Sequence, residues 1–159
     1  MKPKRINSRS KGIRGERLLI DWLQPHVNAT VATARGEGVD CPDILLQRNT
    51  LQSEVGGCDL AGLPWLAAEV KNCADDPPAL VASWWQHCQD QAKPGQTAVL
   101  FYKVARRPFR VRMAGGWGEG LVWNCGHVEI APEQFLAWFK TRLREELARP
   151  KHGGAFVAD

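Results

Sequence analysis

A chain of 159 residues, 44% hydrophobic and 24% charged, is long enough for one domain with its own core. Five cysteines without a Cys-x-x-Cys pair, and four scattered histidines, exclude the usual structural zinc arrangements and fit reduced thiols in the cytoplasm. The charged start and the lack of an apolar span of about 20 residues argue against export and membrane insertion, while a net charge of +4 favours an anionic partner.

In chain order, residues 1–9 read as a basic, flexible arm with Lys2, Lys4, Arg5 and Arg9. Ser10 is placed to cap a helix that runs to Gln24, with Pro25 as its stop. Gly12, Ile13, Leu19, Ile20, Trp22 and Leu23 share one arc of that helix; Arg14, Arg17 and Asp21 take the other side. Glu16 falls inside the apolar arc, where an unpartnered carboxylate is costly. Its partner is a cation, an arginine or a backbone donor; metal support and an ordinary ion pair both satisfy the pattern. Val27 to Ala34 reads as a strand, and Ile44-Leu45-Leu46 as a short one.

Leu66, Ala68 and Val70 are apolar at period two, which puts Glu69 and Lys71 together on the opposite face of one strand. Gly62-Leu63-Pro64 is a turn signal between that strand and one carrying Asp59. Folding back there sets Asp59 opposite Ala67 or Ala68, about 5 Å from its cross-strand neighbours. Two carboxylates and a lysine so placed suit a divalent cation with oxygen ligands, and suit water activation at a phosphodiester. A surface Glu/Lys pair on a plain hairpin is the alternative. Asp43 competes with Asp59 as the upstream acid, although no simple hairpin joins it to Glu69.

Asp76-Pro77-Pro78 opens a helix whose stripe of Val81, Trp84, Trp85, Cys88 and Ala92 reads as core, ended by Pro94-Gly95 and flanked by Gln91. Ala98 to Tyr102 reads as a buried central strand. Phe109, Val111 and Met113 alternate with Arg110 and Arg112, predicting a strand with one basic face. The glycine-rich stretch 115–120 lacks the lysine and spacing of a P-loop. Leu136, Phe139, Leu143 and Leu147 mark a last helix after Pro132, and 150–159 reads as a loose tail. The expectation is an α/β (α+β) fold: a central mixed sheet flanked by helices, in one domain over 10–149.

Several segments, in this order, resemble the PD-(D/E)xK nuclease superfamily, with its restriction-endonuclease-like core. They are Asn7-Ser8-Arg9-Ser10-Lys11-Gly12 with Gly15-Glu16-Arg17, Gly56-Gly57-Cys58-Asp59-Leu60, Glu69-Val70-Lys71, Trp84-Trp85 with Gln91-Ala92, and residues 106–113. More narrowly the chain resembles small phage and prophage endonucleases of the Holliday-junction-resolvase type, except that Cys58 stands where the family often has proline. The resemblance implies a Mg²⁺- or Mn²⁺-dependent DNA endonuclease in a bacterial or phage-infected cytoplasm. Asp59, Glu69 and the Val70 carbonyl would be ligands, Lys71 would serve the attacking water, and Glu16 and Gln91 would support the site. A homodimer would cut both strands of branched DNA. The basic clusters are expected to contact phosphates, through Arg5, Arg9, Lys11 and Arg14 and through Arg106, Arg107 and Arg110. A non-catalytic DNA-binding protein on the same scaffold, or a tryptophan-rich protein-interaction module, would serve the same composition without cutting.

Overall fold

The computed structural model describes residues 8–50, 58–104, 106–114 and 126–149. Its first element overturns two expectations. Helix α1 spans Ser8–Gly36, with Pro25 inside it, and the expected strand over 27–34 is helical. Leu19, Leu23, Val27, Val31 and Ala34 are all buried and lie four, four, four and three residues apart, so one apolar stripe continues through Pro25. The proline sits on the exposed side. It forfeits one backbone bond, and the burial of the following turns outweighs that loss. Thr30 and Thr33 donate their hydroxyls back to the carbonyls of His26 and Ala29, at 2.8 Å and 3.0 Å.

Ile44 to Leu46 forms no strand. The Gln24 side-chain amide takes a strand's place there, donating to the Ile44 carbonyl at 2.9 Å and accepting from the Leu46 N–H at 2.8 Å. The pairing falls instead on β1 (Gln47–Arg48), antiparallel to β2 (Leu60–Ala61), with Arg48 opposite Leu60. Gly62 then turns the chain at φ +111°, and a Cβ there would sit 2.5 Å from the Leu45 carbonyl oxygen. No other residue fits that bend.

The main sheet has four strands in the order β3 (Leu66–Cys73), β4 (Thr97–Val104), β5 (Arg110–Met113) and β6 (Val128–Ile130). β3 and β4 are parallel, joined through α2 (Pro78–Gln91); the other pairs are antiparallel. Helix α3 (Pro132–Ala148) closes the described chain. The protein is thus α+β, a mixed sheet with, among the described residues, three helices.

Alternation along the strands splits the core. Val99, Phe101, Val111 and Met113 face α1 and α3, where Phe135 and Phe101 meet edge-to-face at 4.9 Å. Leu100 and Tyr102 face α2, against Val81, Trp85 and Cys88. No described helix is long and apolar enough to cross a membrane.

Candidate metal and nucleic-acid site

The register pairs Glu69 with Leu100 and Lys71 with Tyr102, so both belong to the α2 face of β3, as the alternation predicts. β3 is also the edge strand of its sheet. Its outer edge needs hydrogen-bond partners, and the segment before β2 provides them. The Asp59 N–H donates to the Ala68 carbonyl at 2.9 Å, and Asp59 Oδ2 accepts the Val70 N–H at 2.7 Å. Asp59 therefore sits against the peptide between Glu69 and Lys71. An extended residue presents its N–H and C=O on the same side, so the Val70 carbonyl faces the same edge.

Asp59 is 7% and Glu69 2% exposed. Buried carboxylates call for positive charge. The Lys71 ammonium holds Glu69 Oε1. His87 Nδ1 lies 3.7 Å from the same oxygen, and its Nε2 is 3.2 Å from the Gln91 amide nitrogen. Gln91 thus reaches the site through His87, which the sequence reading passed over; its position one turn before Gln91 was the available signal. Burial and the Glu69 charge push the Cys88 thiol up to about 12, as expected for a carboxylate on the α2 side.

Asp43 takes no part. Its side chain is 91% exposed and pairs with Arg35 at 2.9 Å. Glu16 does have an arginine partner: Arg48 on β1 holds its Oε2. The next residue inward, Gly15, packs against β3 so closely that a Cβ would lie 2.9 Å from Asn72 Cβ and 3.4 Å from Val70 Cγ1. Arg48 adjoins Asp59 through the β1–β2 ladder, where the Asn49 N–H donates to the Asp59 carbonyl at 2.9 Å. Asp59 is in this way tied through the backbone to the strand carrying Arg48 on one side and to Val70 of β3 on the other.

Among the described residues, no three His, Cys, Asp or Glu side chains form a ready metal cage. Asp59, Glu69 and the Val70 carbonyl carry oxygen donors only, the type that Mg²⁺ takes in preference to zinc or copper.

The two basic clusters converge. Lys11 and Arg14 of α1 and Lys103 and Arg106 beyond β4 line one cleft of about 560 Å³, with Leu18, Asn72, Cys73 and Ala74. It opens beside the C-terminal end of β3, at Asn72 and Cys73. Among the described residues none of these four cations pairs with a carboxylate; Lys103 lies 5.7 Å from the centre of the Phe109 ring. Arg107 is exposed nearby.

The expected basic face of β5 is neutralised. Arg110 pairs with Asp76 at 2.9 Å and Glu129 at 2.5 Å, and Arg112 with Glu129 at 2.6 Å. Tyr102 donates its hydroxyl to the same Glu129 carboxylate at 2.6 Å. Burial pushes the Glu129 carboxyl up, but those hydrogen bonds and the two guanidinium charges prevail and leave it lowered. Arg5 and the glycine-rich stretch 115–120 lie outside the described residues, as does the side chain of Arg9. No family model, curated protein or solved structure matches the chain.

Proposed function

We propose that the chain is a metal-dependent DNA endonuclease with a restriction-endonuclease-like core, of the PD-(D/E)xK kind, acting as a homodimer on branched or duplex DNA. The observation that supports this best is Asp59 docked on the Val70 peptide, between Glu69 and Lys71. Asp59, Glu69 and the Val70 carbonyl would hold Mg²⁺ or Mn²⁺. The bound ion would lower the pKa of a coordinated water and offset charge on the phosphate.

The chain's own groups divide the rest. Lys71, anchored on Glu69, orients the attacking water and meets the charge that builds on the phosphoryl oxygen. Gln91 and His87 limit the freedom of the Glu69 carboxylate from the α2 side. Lys11, Arg14, Lys103 and Arg106 seat the flanking phosphates, which fixes register without reading bases. Water oxygen bonds to phosphorus and gives up a proton to solvent, the bond to the leaving sugar oxygen breaks, and that oxygen takes up a proton from solvent.

The test is cleavage of junction, flap and linear duplex DNA with Mg²⁺ or Mn²⁺. Asp59→Asn, Glu69→Gln and Lys71→Met should lose cutting and keep DNA binding. Undiminished cutting by these variants refutes the assignment. Binding by the native chain with no product under either metal favours a non-catalytic DNA-binding protein.

A further inference from the structure

The basic cleft draws its cations from two elements far apart in the chain: Lys11 and Arg14 from α1, Lys103 and Arg106 from the end of β4 and the turn after it. Both are held in place by the fold. Gly15 brings α1 against β3, where a Cβ would lie 2.9 Å from Asn72 Cβ, and the Asn72 amide donates to the Lys11 carbonyl at 3.3 Å. Lys103 Nζ lies 5.7 Å from the centre of the Phe109 ring, which in turn stacks on Trp22. Arg106 is the strained member. Its φ is +65°, the left-handed region that turns fill with glycine or asparagine, and it alone among the described non-glycine residues takes a positive φ. The turn closes there, with the Arg107 N–H donating to the Val104 carbonyl at 3.0 Å. An arginine held against that preference points to a use for its side chain, and Arg106 lines the cleft. We propose that this cleft seats an unpaired DNA strand, such as a flap or a frayed arm, with Arg106 as one of its binding residues. The proposal rests on the nuclease reading above and narrows its substrate to DNA with a single-stranded part.

Size decides between one strand and two. A cleft of about 560 Å³ has the volume of a cube of about 8 Å edge, whereas the major groove of a duplex alone is about 12 Å wide, so a duplex cannot enter. A single strand can, with cations from both elements meeting its phosphates. Four cations suit a run of phosphates better than the one phosphate group of a free nucleotide. None of the four has a carboxylate partner among the described residues, so no acid there competes with the phosphates. Leu18 and Ala74 add apolar lining for sugar and base, a contact that strands of any sequence can make.

Binding is read by fluorescence anisotropy on the full chain in EDTA, so that nothing is cut. The probes are a short labelled single strand without self-complementarity, the blunt duplex of the same sequence, and that duplex carrying a single-stranded flap. The single strand and the flapped duplex should bind about tenfold more tightly than the blunt duplex. Arg14→Gln, Lys103→Gln and Arg106→Gly should each weaken single-strand binding about fivefold. Arg144→Gln removes the same charge from an exposed pair with Glu37 on another part of the surface, and should leave it unchanged. Arg106→Gly should also raise Tm by about 2 °C as the turn relaxes. A blunt duplex bound as tightly as the single strand, or single-strand affinity that the cleft variants leave intact or that Arg144→Gln lowers equally, overturns the proposal and leaves the nuclease reading, with its cutting assay, standing. Native affinity in Arg106→Gly, or a Tm no higher than the native one, overturns the part given to Arg106. Failure to bind any of the three probes overturns the nuclease reading as well.

Discussion

Replacing Asp59 by alanine and by asparagine separates two jobs the side chain performs together. Its Oδ2 closes the buried edge of β3 by accepting the Val70 N–H at 2.7 Å, and its charge belongs to the candidate metal site. Alanine removes both. The Val70 N–H is then orphaned beside a residue only 5% exposed, which costs about 1–3 kcal/mol, and the charge-assisted bond is lost too. A total near 2–3 kcal/mol lowers Tm by roughly 4–12 °C in a chain of this size. Asparagine keeps an oxygen in place and should cost about 1 kcal/mol or less. Both should lose Mn²⁺ binding and cutting alike. Calorimetric melts paired with Mn²⁺ titrations check this. Equal stability of the two variants would show that the Asp59 carboxylate does not hold the edge, and the placement of the acid beside Glu69 would fail with it.

Gly15→Ala gains about 1 kcal/mol of helix propensity but forces a Cβ to within 2.9 Å of Asn72 Cβ, so urea unfolding should show net destabilisation of about 1–2 kcal/mol; a gain would mean α1 does not press on β3. Pro25→Ala restores a helical N–H on an exposed face and should stabilise by about 1–3 kcal/mol in the same assay. The lowered carboxyl of Glu129 stabilises the fold above its ordinary value of 4.5, and that contribution is lost as pH falls through the folded value; Glu129→Gln should therefore flatten the acid limb of stability against pH. In a cleavage-dead Asp59→Asn background, neutralising Arg14 or Lys103 should each reduce the slope of log affinity against log salt by about 1, whereas Arg112→Gln should leave it unchanged.

Much of the layout is legible in the sequence because local signals agree there with tertiary packing. The period-two run before Glu69, the prolines at the start of α2 and α3, and the apolar run of β4 each announce their element. Residues 27–34 mislead because Val27, Thr30, Val31 and Thr33 are β-branched and follow a proline. Only the stripe inherited from Leu19 and Leu23 makes them helical, and that is a property of a longer window. Residues 44–46 mislead because a side chain 20 positions away satisfies their backbone. Arg48 and His87 escape notice for the same kind of reason. Their meaning comes from Glu16, 32 residues back, and Glu69, 18 residues back, and no spacing rule encodes such distances.

The basic strand is the instructive error, because it shows what net charge can and cannot locate. A value of +4 requires cations in excess of acids but does not say where. Arg35, Arg48, Arg110, Arg112, Arg142, Arg144 and Arg149 all face carboxylates. Exposed pairs of this sort add little stability, but they cancel the field that a polyanion would feel. Lys11, Arg14, Lys103 and Arg106 have no such partner among the described residues, and they share one cleft. That cleft therefore carries positive charge at the C-terminal end of β3 that no carboxylate among the described residues offsets. A polyanion drawn to that cleft would lie at the C-terminal end of β3, and pairing Arg110 and Arg112 internally removes a competing seat elsewhere on the sheet.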